Sequence, residues 1–140
     1  MHHTSDEINL EITESAVVGS ESTMQDVLHR LHDMGLAFAL DDFGTGNANY
    51  SYIMNYPFRI TKVDKSFLWN SFKSHDNEVI FDNMISLIRG LRREAVVEGV
   101  ETEDQKDRLV KDGVRYLQGY FYSKPVPEDE FLNYVKQFNL

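Results

Sequence analysis

The chain has 140 residues and a net charge of −9, from 23 acidic against 14 basic side chains. With 41% apolar and 26% charged residues, it has the composition of one globular domain rather than a disordered or low-complexity segment. The acidic balance argues against a surface that tracks a nucleic-acid polymer. The absence of Cys removes disulfides, thiolate nucleophiles and Cys-ligated zinc, and no apolar run approaches the ~18 residues of a membrane span.

A Cys-free chain is compatible with the reducing cytoplasm, which is the expected location. Residues 1–7 are expected to be an N-terminal extension or cloning scar. The first predicted element is a strand over Ile8 to Ile12. Val27, Leu28, Leu31 and Met34 then recur at helical spacing, with Ser22 and Gln25 as a capping box and Gly35 as the stop. Leu36 to Leu40 is a continuous apolar run, the pattern of a strand buried on both faces. A short helix near Tyr50 to Asn55 precedes a strand over Arg59 to Val63.

The strongest helical stripe is Ile80, Met84, Leu87, Ile88 and Leu91. Ala95 to Val97 follows as a strand, Thr102 and Gln105 as a second capping box, and Gly113 as a second helix stop. Val114 to Leu117 is the fifth strand. Pro127 opens a last helix, with Phe131, Leu132, Val135 and Phe138 on one face. Alternating strands and helices imply a parallel sheet with right-handed crossovers. Five such units fit an open doubly wound sheet or part of a (β/α)8 barrel, which needs ~250 residues when complete.

Each strand run ends in charge: Glu11 and Glu14, Asp41 and Asp42, Lys62 and Asp64, then Glu98 and Glu101, with Gln118 after the fifth. Sites in parallel α/β folds lie at the carboxyl ends of strands, so these groups are expected on one side of the sheet. So many carboxylates repel unless compensated, and a divalent cation with oxygen ligands, Mg²⁺ or Mn²⁺, is the simple compensation. The adjacent Asp41 and Asp42 suit a two-metal site if the backbone turns at the strand end. The competing role for any one acid is to cap the next helix, and for Lys62 to pair with an acid. Asp42-Phe43-Gly44 is not a kinase signature here, because no glycine-rich loop or HRD motif accompanies it. Its two glycines, Gly44 and Gly46, suggest a mobile loop beside the acids. The five histidines form no ligand pattern.

At these residues the chain resembles the EAL-type cyclic di-GMP phosphodiesterases. The matching motifs are Leu10-Glu11-Ile12-Thr13-Glu14-Ser15, Asp41-Asp42-Phe43-Gly44-Thr45-Gly46, Lys62-Val63-Asp64-Lys65-Ser66-Phe67, Glu98-Gly99-Val100-Glu101-Thr102, Gln118-Gly119-Tyr120 and Ser123-Lys124-Pro125-Val126-Pro127. The resemblance implies a partial (β/α)8 TIM-like barrel of about five parallel βα units, with residues 8–140 its C-terminal portion. It also implies two-metal hydrolysis of one phosphodiester bond of cyclic di-GMP to linear 5′-pGpG.

By motif, Glu11 looks like a ligand of one metal, Asp41 like a bridge between both, and Asp42 like a ligand of the second. Lys62 would orient or deprotonate the attacking water, with Asp64 and Glu98 supporting the water and metal shell. Gln118 would complete the pocket, beside Phe43 and Gly44, and Glu14 would anchor the loop that they begin. Three departures stand out. The Glu-Ala-Leu segment that names the family is absent, the first strands are absent with it, and Asn47-Ala48-Asn49 replaces the usual Tyr-Ser-Ser. The expectation is a chain weak or inactive alone, whose open sheet edges are covered by a homo-oligomer or by the missing N-terminal half. The alternative is a non-catalytic nucleotide-sensing or protein-interaction module derived from the same domain.

Overall fold

In the computed structural model, which describes residues 9–17, 21–45 and 54–137, five strands pair side by side in chain order, each parallel to the next. They are β1 (Asn9–Thr13), β2 (Ala37–Phe43), β3 (Phe58–Val63), β4 (Glu94–Val97) and β5 (Tyr116–Leu117). The helices are α1 (Glu14–Val17), α2 (Glu21–Asp33), α3 (Lys65–Ser71), α4 (His75–Gly90), α5 (Glu103–Lys111) and α6 (Glu128–Gln137). A doubly wound sheet reverses its strand order at a switch point. Here the order runs straight through, as in a barrel, so the structure is a partial barrel of five parallel strands.

Side-chain alternation divides the sheet into two faces. Phe38 and Leu40 of β2, Val63 of β3, and Ala95 and Val97 of β4 face the helices. There they are buried with Leu68 of α3, Phe81, Ile85 and Ile88 of α4, and Leu109 of α5. The opposite face carries Glu11, Ala39, Asp41, Lys62, Val96 and Glu98. The apolar face therefore holds the sheet to its helices and leaves the charged face for chemistry.

Local signals explain most of the elements. Thr102 and Gln105 form the expected reciprocal capping box of α5, and Gly35 and Gly113 end helices at φ +92° and +75°. Ser22, expected as the cap of a Ser22–Gln25 box, lies within the helix rather than before it. Helix α2 already begins at Glu21, and Gln25 Nε2 donates instead to Asn55 O at 3.3 Å.

Between β3 and β4 there are two helices rather than one. Asp64 caps α3 by accepting from Ser66 N at 2.9 Å, and Ser74 caps α4 by accepting from Asn77 N at 3.3 Å. Strand β2 extends through Asp41 and Asp42 to Phe43, beyond the apolar run, whereas β5 shrinks to two residues. Phe131 and Leu132 of α6 are exposed, so the apolar face of that helix is not buried. The expected short helix lies mostly outside the described residues, as do Ile8, residues 46–49 and Phe138.

Candidate active site

The site begins with a bulge. Leu40 pairs with Thr61 and Phe43 with Val63, so Asp41 and Asp42 together oppose the single residue Lys62. An extra residue in one strand bends it and re-aims its side chains. Asp42 takes up the bend at φ +56°, a left-handed conformation that Asp tolerates better than most residues other than glycine. Its carbonyl oxygen accepts from Thr45 N at 3.1 Å and Thr45 Oγ1 at 2.8 Å, which fixes the turn. The backbone turn expected at the two acids is therefore present. No hydrogen bond or ion pair to the Asp42 carboxylate is found among the described residues.

Lys62 is the centre of the site, its side chain only 9% exposed. Its Nζ lies 2.8 Å from Glu98 Oε1, 2.9 Å from Glu11 Oε1 and 3.3 Å from Asp41 Oδ1. These three carboxylates come from β1, β2 and the residue after β4, so four segments of chain meet at one ammonium. Burial works against the charge of Lys62. Hydrogen bonds to Glu98 and Glu11 and the charges of Glu98 and Asp41 outweigh it and hold the pKa above the ordinary lysine value. The three acids therefore favour the charged form of Lys62.

Glu14 stands behind the bulge, 4% exposed, and its Oε2 accepts from Gly44 N at 3.1 Å. Its Oε1 is buried with no hydrogen bond among the described residues. Gly44 has φ +93°, and a Cβ there would lie 2.7 Å from the Phe67 ring. The first residues of the loop are thus held by a carboxylate on one side and an aromatic ring on the other. Phe43 itself is buried in the core under them.

On the other flank, Glu98, Gly99 and Glu101 face Gln118, Gly119 and Tyr120 across a cleft of about 180 Å³ that Lys65 also lines. Val100 N donates to Gln118 O at 3.1 Å, and Gln118 N to Val97 O at 3.0 Å, which continues the β4–β5 ladder past the strands. A Cβ on Gly119 would strike the Val100 backbone, so the two segments approach as closely as glycine permits. Trp69 Nε1 donates to Gly99 O at 2.8 Å and pins the turn from α3.

The structure therefore brings Glu11, Asp41, Lys62 and Glu98 together, with Asp42 paired across the bulge from Lys62 and Gln118 on the cleft that Glu98 walls. Asp64 sits at the same end of the sheet as a helix cap. Glu101, expected among the strand-end acids, lines the cleft, whereas reading the sequence alone gives Lys65 and Tyr120 no role there. The available signal was proximity, since each lies within three residues of Lys62 or Gln118.

The donors fit a hard divalent cation: all are carboxylate oxygens, and Asp41 Oδ1 is buried with no hydrogen bond, its contact with Lys62 not being aligned as one. Among the described residues no three acidic or imidazole groups are gathered closely enough to hold an ion as they stand. The Lys62 ammonium holds the point where three of them converge.

Fold and site define a barrel-type α/β protein with a cluster of carboxylates around one lysine at the carboxyl ends of its strands. The sequence matches the EAL domain family over residues 1–125, and the chain belongs to that family. It is 40% identical over 124 residues to cyclic di-GMP phosphodiesterase PdeL of Escherichia coli (strain K12), covering 89% of this chain and 34% of PdeL.

Among solved structures it is similar to the PaMucR phosphodiesterase in its c-di-GMP complex, with a TM-score of 0.81 and 32% identity, covering 88% of this chain and 50% of that one. It is also similar to a manganese/cy-diGMP complex of Klebsiella pneumoniae BlrP1, with a TM-score of 0.79 and 29% identity, covering 86% and 31%. The chain thus spans half or less of the length of these proteins. No helix among the described residues is long and apolar enough to cross a membrane.

Proposed function

We propose that this chain binds cyclic di-GMP at the Lys62 site and supports metal-dependent hydrolysis of one of its phosphodiester bonds, giving linear 5′-pGpG. The observation that carries the proposal is the convergence of Glu11, Asp41 and Glu98 on one buried ammonium at the carboxyl end of the sheet. The family and the printed descriptions of its relatives support the substrate.

Mg²⁺ or Mn²⁺, held by Glu11, Asp41 and Asp42, would supply Lewis-acid activation of water and charge stabilisation at the phosphoryl oxygens. The chain's own residues do the rest. Lys62, as a cation, donates hydrogen bonds to oxygen and balances the acids around it. Glu98 is hydrogen-bonded to Lys62 and borders the cleft, so it can accept a hydrogen bond from the attacking water. The oxygen of that water bonds to phosphorus as the bond to one ribose 3′ oxygen breaks, and the proton passes to that leaving oxygen. Glu14 and Phe67 hold Gly44 in place beside Asp42. Gln118 and the cleft beside Glu98 receive part of the nucleotide. The outer edge of β1 is covered by another strand, from a second copy or from a longer parent chain.

Equilibrium dialysis with labelled cyclic di-GMP tests the binding half of the proposal. Binding that needs Mg²⁺ or Mn²⁺ and weakens in Asp41→Ala and Gln118→Ala is expected. Binding unchanged by EDTA and by both substitutions would overturn it.

A further inference from the structure

Five of the chain's seven arginines gather at the end of the sheet opposite the Lys62 site. Arg59 is the second residue of β3, Arg92 and Arg93 lead directly into β4, and Arg115 leads directly into β5. Arg89, in the last turn of α4, donates to Asp112 O at 2.8 Å and so lies at the entry to the same strand. This concentration is unexpected in a chain of net charge −9. Arg89 has that backbone role, and Arg93 is partly buried and donates to Tyr56 O at 3.1 Å. The other three are presented outward.

Arg59 and Arg115 have side chains 63% and 76% exposed, each at 3.7 Å from one oxygen of Glu94. That distance is too long for a hydrogen bond, so both guanidinium forks keep their donors available. Arg92 is exposed, and its guanidinium has no hydrogen bond or ion pair among the described residues. It also stands at φ +57°, in the turn that follows α4, where glycine is the residue of least cost. Strained backbone of this kind is concentrated at functional sites, and here it carries an exposed cation.

We propose that this arginine rim docks an acidic segment of a partner protein. Charge complementarity sets the sign of the partner. Three guanidinium forks across adjacent strands suit carboxylates, which they bind in bidentate fashion. Glu94, set between Arg59 and Arg115, selects a peptide over a row of phosphates. A peptide offers backbone N–H donors to that carboxylate, whereas a phosphodiester backbone offers none. The net negative charge of the chain also disfavours long polyanions, whose attraction to proteins comes from many cations at once. The rim lies away from the candidate active site, so docking leaves the nucleotide cleft open.

Fluorescence anisotropy of a fluorescein-labelled peptide of alternating Glu and Ser tests the proposal, with a labelled oligothymidylate of equal charge as comparator. The peptide should saturate below about 1 mM and lose roughly tenfold in affinity when ionic strength is raised from about 0.01 M to about 0.1 M, which shortens the screening length about threefold. Arg92→Gly combined with Arg59→Gln should weaken peptide binding at least about fivefold. The melting midpoint of the same double variant should stay at or above that of the unaltered chain, so loss of binding cannot be laid to unfolding. No saturation, an affinity indifferent to these substitutions, or tighter binding of the oligothymidylate would each overturn it.

Discussion

Replacing Lys62 by Met removes the ammonium and leaves Glu11, Asp41 and Glu98 facing one another. Two of the lost contacts, at 2.8 and 2.9 Å, are charge-assisted hydrogen bonds, each worth roughly 1.5–3 kcal/mol in a protected setting. Breaking a fully buried ion pair from one side costs ~3–5 kcal/mol. Here the carboxylate side chains are 52%, 21% and 20% exposed, so water recovers part of that loss. A net destabilisation of about 2–3 kcal/mol at neutral pH follows.

The charge explains most of this cost, because Met keeps the apolar stem. Lys62→Met/Glu98→Gln should therefore recover part of the loss, since it removes one of the repelling acids. The assay is urea unfolding at pH 7 on the single and double variants. The sign of the pH dependence is also fixed. The Lys62 pKa is raised on folding, so its contribution is complete below the ordinary lysine value and disappears only as pH climbs through the folded one. The difference between wild type and Lys62→Met should thus not fall between about pH 7 and 9. A Lys62→Met variant within about 0.5 kcal/mol of wild type would refute the reasoning, because that is the range of ordinary surface substitutions.

Three further predictions rest on single contacts. Gly119→Ala places a Cβ against the Val100 backbone and should cost more than about 3 kcal/mol or abolish soluble expression, read by thermal melting. Glu14→Ala strips the acceptor from Gly44 N and should cost about 1–3 kcal/mol in unfolding free energy. In the same variant, proteolysis at the loop after Asp42 should be faster. Arg92→Gly relieves a left-handed conformation and should stabilise the chain by up to about 1 kcal/mol, seen as a small rise in the melting midpoint.

Much of the site was legible because it depends on strand ends. Glu11, Asp41, Lys62 and Glu98 each close or follow an apolar run, and parallel strands carry their ends to one side. That Lys62 would pair with an acid was legible, but that it gathers Glu11, Asp41 and Glu98 at once was not. Which side chains meet depends on register, and the bulge that sets Asp41 and Asp42 against Lys62 leaves no mark in composition. Strand β2 therefore runs two acids and a phenylalanine further than its apolar run. Helix α3 escaped notice for a different reason. At seven residues it is too short to show a period, and its best signal was Asp64, whose carboxylate had been assigned to the site. Arg92 in a left-handed turn is a case where local preference is overridden, and no sequence rule points to it.

The central claim is that the acids gathered on Lys62 form a phosphodiester-cleaving site. The direct measurement is chromatography of cyclic di-GMP incubated with the purified chain in Mg²⁺ or Mn²⁺, beside Asp41→Ala and an EDTA control. The account predicts 5′-pGpG from the unaltered chain with either metal, formed slowly because the chain is expected to be weak alone, and none from the other two. Metal-supported binding of cyclic di-GMP without any 5′-pGpG, or product formation that survives Asp41→Ala, would contradict it.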